Sequence, residues 1–136
     1  MNGITVLILD DNPLICEGLS NLLRSDGFKV VTSESCVKAF SSLFTAHPNV
    51  LLVDLQLPGL TGIDFIDWVR ERPEFTDIPI IAMTGCEKDY LEVALLAGAT
   101  AALHKPEDLD NVIPTIEKVV AGSRYLTASS ENRNVV

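Results

Sequence analysis

Apolar residues fall along the chain in two alternating rhythms. Five short, mainly apolar runs, Ile4 to Leu9, Phe28 to Thr32, Leu51 to Leu55, Ile78 to Met83 and Ala101 to Leu103, read as strands. Between them the spacing turns helical: Leu14, Ile15, Leu19, Leu22 and Leu23; then Val37, Phe40 and Phe44; then Ile63, Phe65, Ile66 and Val69 within Thr61 to Arg70. A fourth helix is predicted over Glu87 to Ala97 and a last one from about Glu107 to Ala121. The punctuation agrees. Asn12-Pro13 pairs a capping residue with a helix-opening proline, Ser33 to Ser35 supply a second cap, and Asp26-Gly27, His47-Pro48-Asn49, Arg72-Pro73 and Gly98 end helices. Pro79 is tolerated at a strand start, and Pro114 kinks the last helix or delays its beginning. Five strands alternating with five helices predict an α/β fold, a three-layer α/β/α sandwich on a five-stranded parallel sheet.

Length and composition narrow the class. At 136 residues, 47% hydrophobic and 21% charged, the chain has the size and makeup of one folded domain. We assign that domain to residues 1–122 and read 123–136, where the pattern fades, as a linker remnant or disordered tail. A formal net charge of −9 argues against direct binding of nucleic acid or an anionic membrane. No apolar stretch reaches membrane-spanning length, and the first run lacks a basic leader. Cys16, Cys36 and Cys86 are odd in number and have no metal-ligand spacing, which fits reduced thiols of a cytoplasmic protein, in or near the core.

The chemistry centres on Leu51-Leu52-Val53-Asp54-Leu55, an acid near the end of a strand buried on both faces and followed by Pro58-Gly59. Taken alone, Asp54 reads as a cap or turn residue. Periodicity does not fix the strand order, but the order 2-1-3-4-5 places a ligand crevice between strands 1 and 3. The strands flanking it end in Asp10-Asp11, Asp54, Thr84 and Lys105, whereas edge strand 2 ends in Thr32-Ser33. Three clustered carboxylates call for a hard divalent cation, and a site with few protein ligands suits Mg²⁺ best. Lys105 offers a point charge to an anion, and Thr84 a hydrogen-bond donor. A central carboxylate facing that anion is a nucleophile for a phosphoryl group, and Asp54 is the central one.

These residues resemble the receiver domain of two-component response regulators over Ile4 to Val120. The resemblance rests on Asp10-Asp11, Asp54 with Pro58-Gly59 and Gly62, Thr84-Gly85, Gly98-Ala99 and Lys105-Pro106, in order, with one βα unit between successive pieces. It implies that Asp54 accepts a phosphoryl group from a histidine kinase or phosphotransfer protein. Asp11 would bind Mg²⁺ directly, Asp10 through water, and the Gln56 backbone carbonyl would be a further ligand. Lys105 would pair with the phosphoryl oxygens and Thr84 would swing in to hydrogen-bond them. Phosphorylation would switch an output surface or drive homodimerisation. Asp11-Asn12-Pro13-Leu14 with Glu17-Gly18-Leu19, and Ala121 to Leu126, are similar to regulators carrying a LuxR-type helix-turn-helix. That implies control of transcription through a DNA-binding domain these 136 residues do not include, the alternative being a stand-alone receiver.

One departure stands out: Ala102 occupies a position where most receivers carry a switching Tyr or Phe. It leaves room for a pseudo-receiver, an interaction module that is never phosphorylated. A phosphatase of the haloacid dehalogenase type needs a second Asp two residues after the nucleophile; Gln56 stands there, so a leaving group has no proton donor. A flavodoxin-like cofactor domain needs a phosphate loop after strand 1, where Asp10-Asp11 would repel the phosphate. His104, His47, Trp68, Asp64 and Asp67 read as structural or solvated residues.

Overall fold

The computed structural model describes residues 3–85, 89–105 and 108–122. Its strands are β1 (Thr5–Leu9), β2 (Lys29–Ser33), β3 (Val50–Asp54), β4 (Ile80–Thr84) and β5 (Ala101–His104). They form one sheet in the order β2-β1-β3-β4-β5, every neighbouring pair parallel. The helices are α1 (Pro13–Ser25), α2 (Cys36–Ala46), α3 (Gly62–Glu71), α4 (Asp89–Ala97) and α5 (Val112–Val120). Cys86, Pro106, Glu107 and the 123–136 segment lie outside the described residues. Among the described residues, no helix is long and apolar enough to cross a membrane.

Strand alternation sorts the core into two halves. Leu7, Leu9, Leu51, Val53, Ile80, Ala82 and Ala102 join α2, α3 and α4 on one face. Val6, Ile8, Val50, Leu52, Ile81, Met83, Ala101 and Leu103 join α1 and α5 on the other. Burial on both faces is why β3 and β4 are apolar at nearly every position.

Two boundaries differ from the sequence reading. β4 begins at Ile80 rather than Ile78; Pro79 has no N–H to give the ladder, although its carbonyl accepts from Leu51 N at 3.0 Å. The expected start of the fourth helix at Glu87 lies outside the described residues, which take up α4 at Asp89. The last helix starts late: a 3-10 turn over Leu109–Asn111 precedes α5, which puts Pro114 in the first turn, where N–H groups have no helical acceptor. Asn12 and Ser35 cap α1 and α2 as expected, their side chains accepting from Leu14 and Ile15 N and from Lys38 N. His47 is the exposed αL C-cap of α2, with φ 48°.

Candidate phosphoryl-acceptor site

The strand ends converge as the chosen order requires. Asp10, Asp11 and Asp54 each offer a carboxylate oxygen, all within 4.8 Å of one another. Register explains the meeting of Asp10 and Asp54: Leu9 pairs with Val53, so Asp10, just past the end of β1, stands beside Asp54, the last residue of β3. Asp10, Asp54 and Lys105 also share the α1/α5 phase of their strands, two residues beyond Ile8, Leu52 and Leu103.

Burial differs sharply among the acids. Asp10 is fully buried and Asp54 is 4% exposed, whereas Asp11 stands in solvent. Lys105 Nζ reaches Asp10 Oδ2 at 3.1 Å and Asp54 Oδ2 at 3.6 Å, so one ammonium bridges two buried carboxylates. Asn12 N donates to Asp10 Oδ1 at 2.9 Å, and Gln56 N donates to Asp54 Oδ1 at 3.0 Å. Desolvation dominates at Asp54 and pushes its carboxyl above the ordinary range; the Gln56 N–H and the Lys105 charge oppose that, while Asp10 and Asp11 reinforce it. Burial likewise raises the Cys16 and Cys36 thiols, which makes them weaker nucleophiles.

Thr84 is fully buried at the end of β4, and Lys105 N donates to its carbonyl at 2.7 Å, which ties the two segments beside the acids. Its hydroxyl donates to Gln56 Oε1 at 3.4 Å, and Gly85 N donates to the same oxygen at 3.1 Å. Sequence reasoning used the Gln56 backbone carbonyl as a ligand and its side chain only as one that cannot act as a general acid, and missed this side-chain contact. It also missed why Gly62 is glycine: a Cβ there would overlap the Asp54 carbonyl oxygen and lie 2.6 Å from Leu55 Cα. Gly62 thereby lets α3 start directly against the end of β3, with Gly62 N donating to Leu55 O at 3.2 Å.

The other flagged residues take structural places. Asp64 completes a capping box with Thr61, more than the solvated role expected of it. Trp68 packs against the core beneath the Arg72 guanidinium, 5.5 Å from its ring centroid. Asp108 Oδ2 accepts from His104 N at 2.9 Å, closing the turn after β5.

A doubly wound parallel sheet with three acids, a threonine and a lysine at the carboxyl ends of β1, β3, β4 and β5 defines a receiver-like α/β domain. Comparison with known proteins makes the class specific. Residues 6–117 match the family described as response regulator receiver domain, and the chain belongs to that family. It is 34% identical over 128 residues to the response regulator GacA of Pseudomonas protegens, a match covering 91% of this chain and 59% of the relative. The chain thus spans less than two thirds of the GacA relative's length. The polar-differentiation response regulator DivK of Brucella ovis is 29% identical over 114 residues, covering 83% of this chain and 93% of DivK. Among solved structures, a LuxR-family two-component response regulator from Aurantimonas superposes with a TM-score of 0.83 at 25% identity, covering 95% of this chain and 92% of that one. A putative response regulator from Chloroflexus aurantiacus gives 0.82 at 28% identity, covering 87% and 98%.

Proposed function

We propose that Asp54 is the phosphoacceptor of this receiver domain and takes its phosphoryl group from a histidine kinase or phosphotransfer protein. A carboxylate oxygen of Asp54 bonds to phosphorus as the P–N bond of the donor phosphohistidine breaks, and the electron pair returns to the imidazole. The observation that carries the reading is the buried Asp10–Asp54 pair, bridged by Lys105 Nζ at 3.1 and 3.6 Å with Asp11 in the same cluster.

The donor set fits Mg²⁺: Asp10, Asp11 and Asp54 supply hard oxygens, and the Gln56 backbone carbonyl is the further ligand we assign. When bound, the ion neutralises charge on the phosphoryl oxygens. Lys105 then leaves the Asp54 carboxylate for those oxygens, and the Thr84 hydroxyl donates to them. Gln56, at the position where a phosphatase would hold its general acid, cannot protonate a leaving group, so the phosphoryl group is stored rather than turned over.

Output is the second part of the proposal. Residues 1–122 form the receiver, with 123–136 as a linker remnant, and the output is regulation of transcription through a LuxR-type DNA-binding domain, with homodimerisation on phosphorylation as one route. The LuxR-family structural neighbour and the greater length of the GacA relative support this. With Ala102 in place of an aromatic, the state of Asp54 is passed on by α4 and the Thr84–Gly85 segment.

Intact-mass analysis after incubation with acetyl phosphate and Mg²⁺ tests the core claim. One phosphoryl group is added to the wild-type chain and none to Asp54→Asn. An unmodified wild-type chain would mark an interaction module that is never phosphorylated.

A further inference from the structure

We infer that the Gln56 side chain is a latch holding Thr84 and Gly85 in the unphosphorylated arrangement, which the phosphoryl group must displace to switch the domain on. The inference rests on the phosphoacceptor reading of Asp54. It gives a positive role to a side chain otherwise invoked only for the general acid it cannot be.

The geometry is a direct competition. One acceptor, Gln56 Oε1, takes both the Thr84 hydroxyl at 3.4 Å and the Gly85 N–H at 3.1 Å. A threonine hydroxyl has a single proton to donate. It cannot serve Gln56 Oε1 and a phosphoryl oxygen on Asp54 together.

Gln56 is also coupled to the modified residue through its main chain, since its N–H donates to Asp54 Oδ1 at 3.0 Å. Chemistry on the Asp54 carboxylate therefore alters one end of Gln56 while its amide oxygen holds the segment that must move. Two arrangements that exclude each other, both sensitive to the same carboxylate, make a two-state element. Ala102 is fully buried and brings no ring to act as a switch, so the latch resides at the β3 and β4 ends.

The test is titration with beryllofluoride, a non-covalent phosphoryl mimic, at saturating Mg²⁺, read by calorimetry and by the Gly85 amide signal in NMR. Gln56→Met keeps the length of the side chain and removes the acceptor oxygen; Gln56 is exposed, so the substitution leaves the core untouched. Because binding no longer has to break the latch, Gln56→Met takes up the mimic on the order of three- to tenfold more tightly than wild type. Without the mimic, its Gly85 amide signal already lies toward the position seen in mimic-bound wild type. Gln56→Glu retains an acceptor and keeps the wild-type Gly85 signal. Equal or weaker binding by Gln56→Met, or a Gly85 signal that moves equally in both variants, overturns the latch. Failure of wild type itself to bind the mimic removes the phosphoacceptor reading as well, so the two failures are distinguishable.

Discussion

Gly62→Ala places one methyl group where α3 meets Asp54, the proposed phosphoacceptor. The new Cβ would overlap the Asp54 carbonyl oxygen and sit 2.6 Å from Leu55 Cα and 3.0 Å from Asp54 C, all backbone atoms that cannot rotate away. Ordinary contact begins at 3.4 Å, so the start of α3 must withdraw from the end of β3 by about 1 Å. The helix propensity of Ala over Gly favours the variant by at most about 1 kcal/mol. Overpacking against a rigid core costs about 1–3 kcal/mol, and strain on the 3.2 Å Gly62 N to Leu55 O bond adds to it. The net effect is a loss of about 1–2 kcal/mol, or roughly 3–10 °C in melting temperature for a domain of this size. Function suffers more than stability. A 1 Å misplacement of a reacting group costs on the order of a hundredfold in rate, so phosphorylation by acetyl phosphate should slow by about one to two orders of magnitude. Stopped-flow fluorescence of Trp68 or time-resolved intact mass measures the rate, and thermal melting the stability. A Gly62→Ala chain that melts and is phosphorylated like wild type would refute the claim that this glycine positions Asp54.

Three other perturbations report on separate parts of the structure. Arg70→Ala removes a guanidinium that donates to Gly98 O at 2.9 Å, Phe75 O at 3.1 Å and Thr76 O at 3.2 Å, so about 2–4 kcal/mol should be lost in denaturant unfolding; a loss under 0.5 kcal/mol would show those contacts to be idle. Ala102→Phe forces a ring into a fully buried site and should destabilise by at least about 1–3 kcal/mol, and unchanged melting would mean the core has room for it. Because burial raises the Asp54 carboxyl above its ordinary 3.8, the folded chain binds more protons than the unfolded one between that value and the raised one. Without a metal, this group's contribution to stability therefore falls as pH rises through that window, and Asp54→Asn melts higher than wild type at pH 7. Mg²⁺ at a hundred times its dissociation constant should stabilise wild type by about 2.7 kcal/mol near neutrality and by less at acid pH; a melting temperature indifferent to Mg²⁺ and EDTA at every pH would count against the metal site.

The acid pocket was readable because strand ends are marked twice in sequence, by the end of an apolar run and by the residue type that follows it. Asp10 and Thr84 directly follow such a run, Asp54 lies one residue before the end of its run and Lys105 two residues past its own, and the observed order brings them together. The order itself was a choice among alternatives, since each of β1, β3 and β4 is apolar on both faces and periodicity distinguishes none of them. Caps were legible for the same local reason: Asn12 and Ser35 act within three residues of themselves. Illegible were contacts between segments far apart in the chain. Gln56 and Thr84 are 28 residues apart, as are Arg70 and Gly98, and no period relates them. Gly62 was noted as a motif residue, but its physical reason, a backbone carbonyl pressed against its Cα, exists only once β3 and α3 are docked.

The substitution at Ala102 belongs to a wider pattern on the α4 side of the sheet. Ala82 pairs with Ala102 in register, and Ala94 of α4 and Ala99 just after it are all fully buried in the same half of the core. Small residues on both sides of an interface let a helix lie close to its sheet, with little side chain between them to absorb a displacement. A large ring can rotate between two positions; an alanine cannot. On the proposed route, movement at the end of β4 reaches α4 as a shift of whole elements rather than as a side-chain flip. The far end of α4 is fixed: Gly98, at φ 121°, lies against the Arg70 side chain, whose Nε donates to the Gly98 carbonyl at 2.9 Å. On the proposed route, a helix held at its C-terminus responds at its N-terminal end. The exposed Val93 and Leu96 of α4 are the side chains such a swing would carry.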